Sequence, residues 1–289
     1  MNNLYNIRNL NCKYPRSIHP VLNIEHLTIR EGSVVFFIGP SGVGKSTILE
    51  TLGLMSYTLD AGAQCEFQFC YDGIQQDLMK LWKKSEREIS RFRSQHLSFI
   101  FQSTNLFQNL TAYQNACVSQ VLQGKHLSDA ELHARQIFKK IFPEGERIIQ
   151  DIVNGKKITE MSGGQRQRLA FVRAISTDFH VLFADEPTGN LDPANADNLM
   201  RMLTSNVKEL GKTAIIVSHD ISLAVKYADE IVFIDKQKSD ELGYEYGYIG
   251  QLSVYRKNIE NGQWTTFSNE RMTDIEFQTA LRLKLNPEK

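Results

Sequence analysis

Val34-Val35-Phe36-Phe37-Ile38 is an unbroken apolar run, and it leads directly into Gly39-Pro40-Ser41-Gly42-Val43-Gly44-Lys45-Ser46. A run this short and this uniformly apolar reads as a strand buried on both faces, as inside a parallel sheet. The glycines then let the backbone turn sharply. Over residues 46–55 apolar side chains recur at helical spacing through Ile48, Leu49, Leu52 and Met55. Strand, Gly-rich turn and helix in that order open a nucleotide-binding α/β unit. The octet from Gly39 to Ser46 also fits the phosphate-loop pattern G-x-x-x-x-G-K-[ST]. In that pattern inward-pointing N–H groups and the helix N-terminus cradle an anion, the lysine bridges the β- and γ-phosphates, and the hydroxyl sits on Mg2+. A chance Gly-rich turn is the bland alternative, and the flanking strand and helix weigh against it.

The alternation continues along the chain. Residues 97–101, 181–184, 213–217 and 230–234 read as further buried strands. Residues 111–122, 128–142, 164–176, 193–210 and 222–227 read as helices, with Asp192 as the N-cap ahead of Pro193. This predicts an α/β fold with a mostly parallel sheet and helices on both faces. Residues 104–160 are helical in pattern without a strong strand, which marks a helical insertion between two halves of the sheet. Residues 65–71 alternate with period two, as a half-buried strand does, and 77–93 pattern as one amphipathic helix whose charges form a solvated face. Beyond residue 236 the character changes. Residues 248–256 and 263–267 read as strands around an Asn261-Gly262 turn, and 273–285 as a closing helix. The expected organisation is a nucleotide-binding domain over 1–235 and an extension over 236–289, a β-hairpin plus a helix.

Two more clusters carry chemistry. The strand over 181–184 ends in Asp185-Glu186. One acid at such a strand end can hold Mg2+, and its neighbour can orient or deprotonate an attacking water. Ser162-Gly163-Gly164-Gln165 precedes a polar-starting helix, which makes a second helix N-terminus suited to an anion. A second cradle in one chain makes sense if it caps the γ-phosphate held by a different subunit.

Together the phosphate loop, Met161-Ser162-Gly163-Gly164-Gln165, Asp185-Glu186 and Ser218-His219-Asp220 resemble the ABC ATPases over residues 4–235, in order and in spacing. The resemblance implies a P-loop NTPase fold of the ABC type, with the mostly parallel core, an antiparallel β subdomain and the helical subdomain over 104–160. It implies ATP and Mg2+ as cofactors. Tyr14 looks like the aromatic that stacks on adenine. Gly39, Pro40, Ser41, Gly42, Val43, Gly44, Lys45, Ser46 and Thr47 look like the phosphate and Mg2+ loop, and Gln102 like the glutamine that touches Mg2+ and senses a partner. Ser162, Gly163, Gly164 and Gln165 look like the signature that completes the opposite subunit's site. Asp185 looks like the Mg2+-associated acid, Glu186 like the catalytic base and His219 like the switch histidine on the γ-phosphate. Gly189-Asn190-Leu191-Asp192 is similar to the loop that crosses between subunits.

The run Glu186-Pro187-Thr188-Gly189-Asn190-Leu191-Asp192 is similar to ATPases of lipoprotein release, macrolide efflux and cell division, which drive a permease with a periplasmic part. The implied partners are a second ATPase subunit, identical or paralogous, and a transmembrane permease. Three departures stand out: Met161 opens the signature, residues 61–94 are long and aromatic, and the chain continues well past 236. Composition agrees with a cytosolic subunit peripheral to the cytoplasmic face of a membrane. No apolar run approaches the length of a membrane span, residues 1–15 lack a signal-peptide core, and the four cysteines form no C-x-x-C pair. With 33 basic against 33 acidic residues, nothing calls for nucleic acid. A soluble ABC protein acting on ribosomes or DNA is the competing class. One phosphate loop, one signature and no sustained heptads between Lys45 and Ser162 favour the membrane role. A cassette that binds ATP and scarcely hydrolyses it is the third class, and Glu186 with His219 argues against it.

Overall fold

The computed structural model describes residues 2–142, 145–189, 191–239, 243–258, 260–266 and 270–285, with only the backbone of 61–63. In chain order it runs β1 (Asn3–Cys12), β2 (Leu22–Arg30), β3 (Val34–Ile38), α1 (Lys45–Leu52), β4 (Leu59–Tyr71), β5 (Ile74–Asp77), α2 (Leu78–Trp82), α3 (Glu86–His96) and β6 (Leu97–Ile100). Then follow α4 (Ala112–Leu122), α5 (Leu127–Ile141), α6 (Glu146–Val153), α7 (Gly163–Ile175), β7 (Val181–Asp185), α8 (Pro193–Glu209), β8 (Thr213–Val217), α9 (Ile221–Tyr227) and β9 (Glu230–Phe233). The chain continues with β10 (Asp235–Lys238), β11 (Glu245–Ile249), β12 (Val254–Lys257), β13 (Trp264–Thr265), β14 (Arg271–Met272) and α10 (Asp274–Leu285).

Two sheets result. The larger has the order β14-β13-β12-β9-β3-β8-β7-β6, and β9, β3, β8, β7 and β6 are all parallel. The smaller, β10-β11-β2-β1-β4-β5, is antiparallel except where β11 runs parallel to β2. The period-two geometry of β3 explains why both exist. Val34, Phe36 and Ile38 point into a core shared with α4–α10, whereas Val35 and Phe37 point into a second core shared with β1, β2, β4 and α1–α3. All five residues of β3 are fully buried.

The helical insertion is present as α4, α5 and α6, with a single bridge between Thr111 and Lys157 as its β pairing among the described residues. Two expected elements differ. The helix expected over 77–93 breaks after Trp82, because Ser85 caps a new helix: its hydroxyl accepts the Glu88 N–H while the Glu88 carboxylate accepts the Ser85 N–H. The strand expected over 248–256 is two strands in two sheets. β11 ends at Ile249, a 3-10 turn over Gln251–Ser253 redirects the chain, and β12 adds to β9 in the larger sheet. Of the partner strand expected over 263–267, Trp264 and Thr265 form β13, and Phe267 lies outside the described residues.

Glu230 ties the layers together. It opens β9 with 1% of its surface exposed, and its carboxylate takes Arg30 of β2 in a close ion pair and Arg256 Nε of β12 at 3.3 Å. A buried carboxylate left short of a partner is expensive, while an exposed pair is nearly neutral. Arg30→Met should therefore cost about 3 kcal/mol of stability. Lys84→Ala, which removes the exposed i,i+4 partner of Glu88, should cost under about 0.5 kcal/mol. Urea unfolding of both variants checks this, and equal losses would show that burial does not govern the Glu230 cluster.

Candidate active site

The site is built at the C-terminal ends of β3, β7 and β8. After β3 the chain reaches Gly44 with φ +91, a left-handed conformation that suits glycine, and α1 starts at Lys45, where the first N–H groups of a helix have no intrahelical acceptor. Lys45 is buried, and its Nζ donates to the carbonyls of Gly39 at 2.8 Å and Pro40 at 2.6 Å. Burial pushes the Lys45 ammonium pKa down, and the nearby Glu186 and Asp185 carboxylates pull in the opposite direction.

Asp185 closes β7. Its carboxyl pKa is raised, first by burial and then by the charges of Glu186 and Glu50, with His219 and Lys45 opposing. Glu186 follows at φ 44, rare for a residue with a side chain, and its N–H donates to the Val217 carbonyl at 3.0 Å, tying the ends of β7 and β8 together. Both oxygens of its carboxylate are engaged. Oε1 lies 2.6 Å from His219 Nε2, and Oε2 accepts from Gln102 Nε2 at 3.4 Å. A cleft of about 300 Å³ is lined by Ser41, Gly42, Gly44, Lys45, Ser46, Thr47, Glu186 and His219, joined by Val21 and Val217. A lysine, hydroxyls and the N–H groups opening α1, together with a carboxylate held by a histidine and a glutamine, can seat a polyphosphate and aim a water at it.

The remaining expected residues fall elsewhere. Val43 packs into the core. Tyr14 is fixed to α1, its hydroxyl donating to Glu50 Oε2 at 2.8 Å and lying 3.3 Å from Thr47 Oγ1. Ser162 and Gln165 form a reciprocal cap at the start of α7, each N–H donating to the other's side chain at 3.2 Å. Gly163 beside them is exposed, and Gly164 lines a separate small cleft with Leu191 and Asn195. Asp192 caps α8, accepting the Asn195 N–H at 3.1 Å. None of Ser162 to Gln165 borders the phosphate-loop cleft of its own chain. Asn190 lies outside the described residues.

Sequence reasoning missed Arg173. Only 8% exposed on α7, it donates to the carbonyls of Thr104 at 3.0 Å and Asn105 at 2.8 Å, two residues held at positive φ just after Gln102. An arginine inside the apolar run Leu169-Ala170-Phe171-Val172-Arg173-Ala174-Ile175 was the available signal.

A family model described as ABC transporter matches residues 22–189. The lipoprotein-releasing system ATP-binding protein LolD of Myxococcus xanthus is 35% identical over 198 residues, covering 68% of this chain and 80% of that protein. ABC transporter H family member 2 of Dictyostelium discoideum is 29% identical over 280 residues, which is 93% of this chain and 51% of that protein, so the match reaches into the residues beyond 236. Among solved structures, the dimeric post-hydrolysis state of the ATP-binding cassette MJ0796 bound to ADP and Pi superposes with a TM-score of 0.62 at 26% identity. That likeness covers 79% of this chain and 93% of the other. The cbiO1 structure from Clostridium perfringens, part of the ABC transporter complex cbiONQ, gives 0.66 at 25% identity over 81% and 85%.

The crowded carboxylates make a stability prediction. Because the folded protein raises the Asp185 pKa, ionised Asp185 is a cost to folding at neutral pH, and the cost vanishes once the group is protonated in both folded and unfolded chains. Asp185→Asn should raise the melting temperature at pH 7, and the gain should shrink as the pH falls into the ordinary carboxylate range. Melting curves across that range check it; a variant less stable than wild type at pH 7 contradicts the sign.

Proposed function

The chain belongs to the ABC transporter family, and from that premise we propose that this ATPase closes head-to-tail with a second cassette on two ATP molecules and drives a separate transmembrane permease. The observation that carries the reading is the separation of the two anion sites. The cleft is lined by the phosphate loop with Glu186 and His219, while Ser162 to Gln165 present a capped helix start outside it. A second subunit facing the cleft would supply that helix start and enclose the γ-phosphate, leaving little for water to solvate. The similar MJ0796 cassette is described as dimeric.

Within such a site Lys45 holds the β- and γ-phosphates, and the N–H groups opening α1 complete the cradle. Tyr14 lies beside α1, where it faces the base. Glu186 orients the attacking water, with His219 and Gln102 keeping its carboxylate from turning away. The residues fit Mg2+: the Ser46 hydroxyl and the Asp185 carboxyl are hard oxygen donors, Gln102 stands close by, and the raised Asp185 pKa marks a crowd of negative charge that a divalent cation relieves. When bound, the cation neutralises charge on the transferred phosphoryl group.

An apolar groove supports the permease partner. About 390 Å³ in volume, it runs between α4, β6 and α7, and is lined by Phe99, Phe101, Phe107 and Leu122 with Arg173 at its side. Phe107 and Leu122 are 53% and 79% exposed, as suits a surface that a partner covers. No described helix is long and apolar enough to cross a membrane, and the proposal assigns the membrane part to a separate permease chain, with this ATPase at the cytoplasmic face. Relatives named for lipoprotein release support a role in driving a permease, and the division into a cassette over 1–235 and an extension over 236–289 belongs to the same proposal.

Glu186→Gln should keep ATP binding and lose turnover by about 10²–10⁴-fold; near-normal turnover would sink its role as base. Ser162→Arg should bind ATP as an isolated subunit yet fail to turn over. Mixing it with Lys45→Ala should restore hydrolysis, since one composite site is then intact; a mixture as inactive as its parents would count against sharing between subunits. Glu186→Gln with ATP, used as bait on detergent-solubilised membranes, should retain a subunit with transmembrane helices. Retention of soluble partners alone would overturn the membrane role.

A further inference from the structure

Residues 13–21 connect β1 to β2, carry Tyr14 and end at Val21 on the wall of the cleft. Backbone bonds shape the two ends of this connection, from Lys13 N–H to the Thr58 carbonyl at 2.6 Å and from Val21 N–H to the Cys12 carbonyl at 2.8 Å. Its middle is exposed, with Ile18 81% open to solvent. There the ring of His19 lies flat on that of Tyr244, centroids 4.0 Å apart and planes within 6°.

Tyr244 comes from the hairpin of β10 and β11, beyond residue 236. Three residues on, Gly247 donates its N–H to the Val21 carbonyl at 2.9 Å and pairs with Leu22. Its backbone lies so close to the phosphate loop that any side chain there would run into the Val43 carbonyl. The hairpin thus rests on the phosphate loop with its backbone and on the 13–21 connection with an aromatic ring. The Ser239 N–H, donating to the Tyr244 carbonyl at 2.9 Å, fixes Tyr244 within the hairpin.

We infer that Tyr244 is a positioning residue for the nucleotide. Its stack on His19 holds in place the connection that presents Tyr14 and Val21, so the chain beyond 236 sets affinity for the base and ribose side of ATP. A connection already ordered leaves less freedom for the nucleotide to remove on binding. The inference rests on the cleft being the ATP site.

Titration of wild type, Tyr244→Ala, Tyr244→Phe and His19→Ala with ATP and, separately, with inorganic pyrophosphate tests it. Pyrophosphate reaches only the phosphate loop. Tyr244→Ala and His19→Ala should each weaken ATP binding about three- to tenfold, the worth of one aromatic pair. The double variant should lose no more than either alone. Pyrophosphate affinity and kcat should stay within about twofold, so the loss falls on KM, and Tyr244→Phe should bind like wild type. Unchanged ATP affinity in Tyr244→Ala overturns the inference, as does an equal loss for pyrophosphate, which would make the stack a general support of the fold. Failure of the ATP reading itself looks different: wild type would not bind ATP, or Lys45→Ala would bind it equally well.

Discussion

The whole architecture follows from a strand that has water on neither side. β3 can bury Val34, Phe36 and Ile38 only if helices cover one face, and Val35 and Phe37 only if a second layer covers the other. Once both layers are in place, the C-terminal end of β3 is the point where the backbone can leave the core, and the phosphate loop occupies it. The same two layers fix β8 beside β3 and β7 beside β8, which is why the phosphate loop, the Asp185-Glu186 pair and His219 arrive at one rim from three different stretches of sequence. Position at the rim is a consequence of burial below it.

At that rim stability and chemistry pull apart. Lys45 is buried with its charge facing backbone carbonyls, Asp185 sits among other carboxylates, and Glu186 adopts a backbone conformation that side chains avoid. Each arrangement is unfavourable when considered alone. Together they hold opposite charges a short distance apart around an open cleft, where a polyphosphate and a cation can satisfy both. Arg173 extends the same logic outward: it fixes two strained residues after Gln102, so the glutamine that reaches Glu186 is mounted on a loop held from α7.

Much of this was legible in the residues. Phosphate loop, acidic pair and strand-end histidine are short, local and tied to strong periodic patterns, so their spacing survived into the fold nearly residue for residue. The misses were of another kind. The break between α2 and α3 depends on Ser85 capping with Glu88, a local competition that an apolar stripe across 77–93 conceals. The split of residues 248–256 between two sheets depends on which edges β2 and β9 leave open, a tertiary fact with no local trace. Arg173 carried a signal, a charge inside an apolar run, yet its partners are carbonyls far away in sequence. The stack of His19 on Tyr244 joins residues from opposite ends of the chain, and no spacing rule reaches that far.

The way β12 joins β9 also bears on how the chain is made. Trp264, Phe277 and Leu281 belong to the same core as Val34, and β12 pairs with β9, the strand next to β3. On the ribosome, every strand from β3 to β9 emerges before the residues that finish this core. In that interval β9 is a bare hydrogen-bonding edge beside uncovered apolar surface, a state that invites pairing with a neighbouring chain. The nascent protein is therefore most exposed to aggregation when the residues lining its cleft have all been synthesised, and a ribosome pausing between 234 and 254 would prolong that vulnerability.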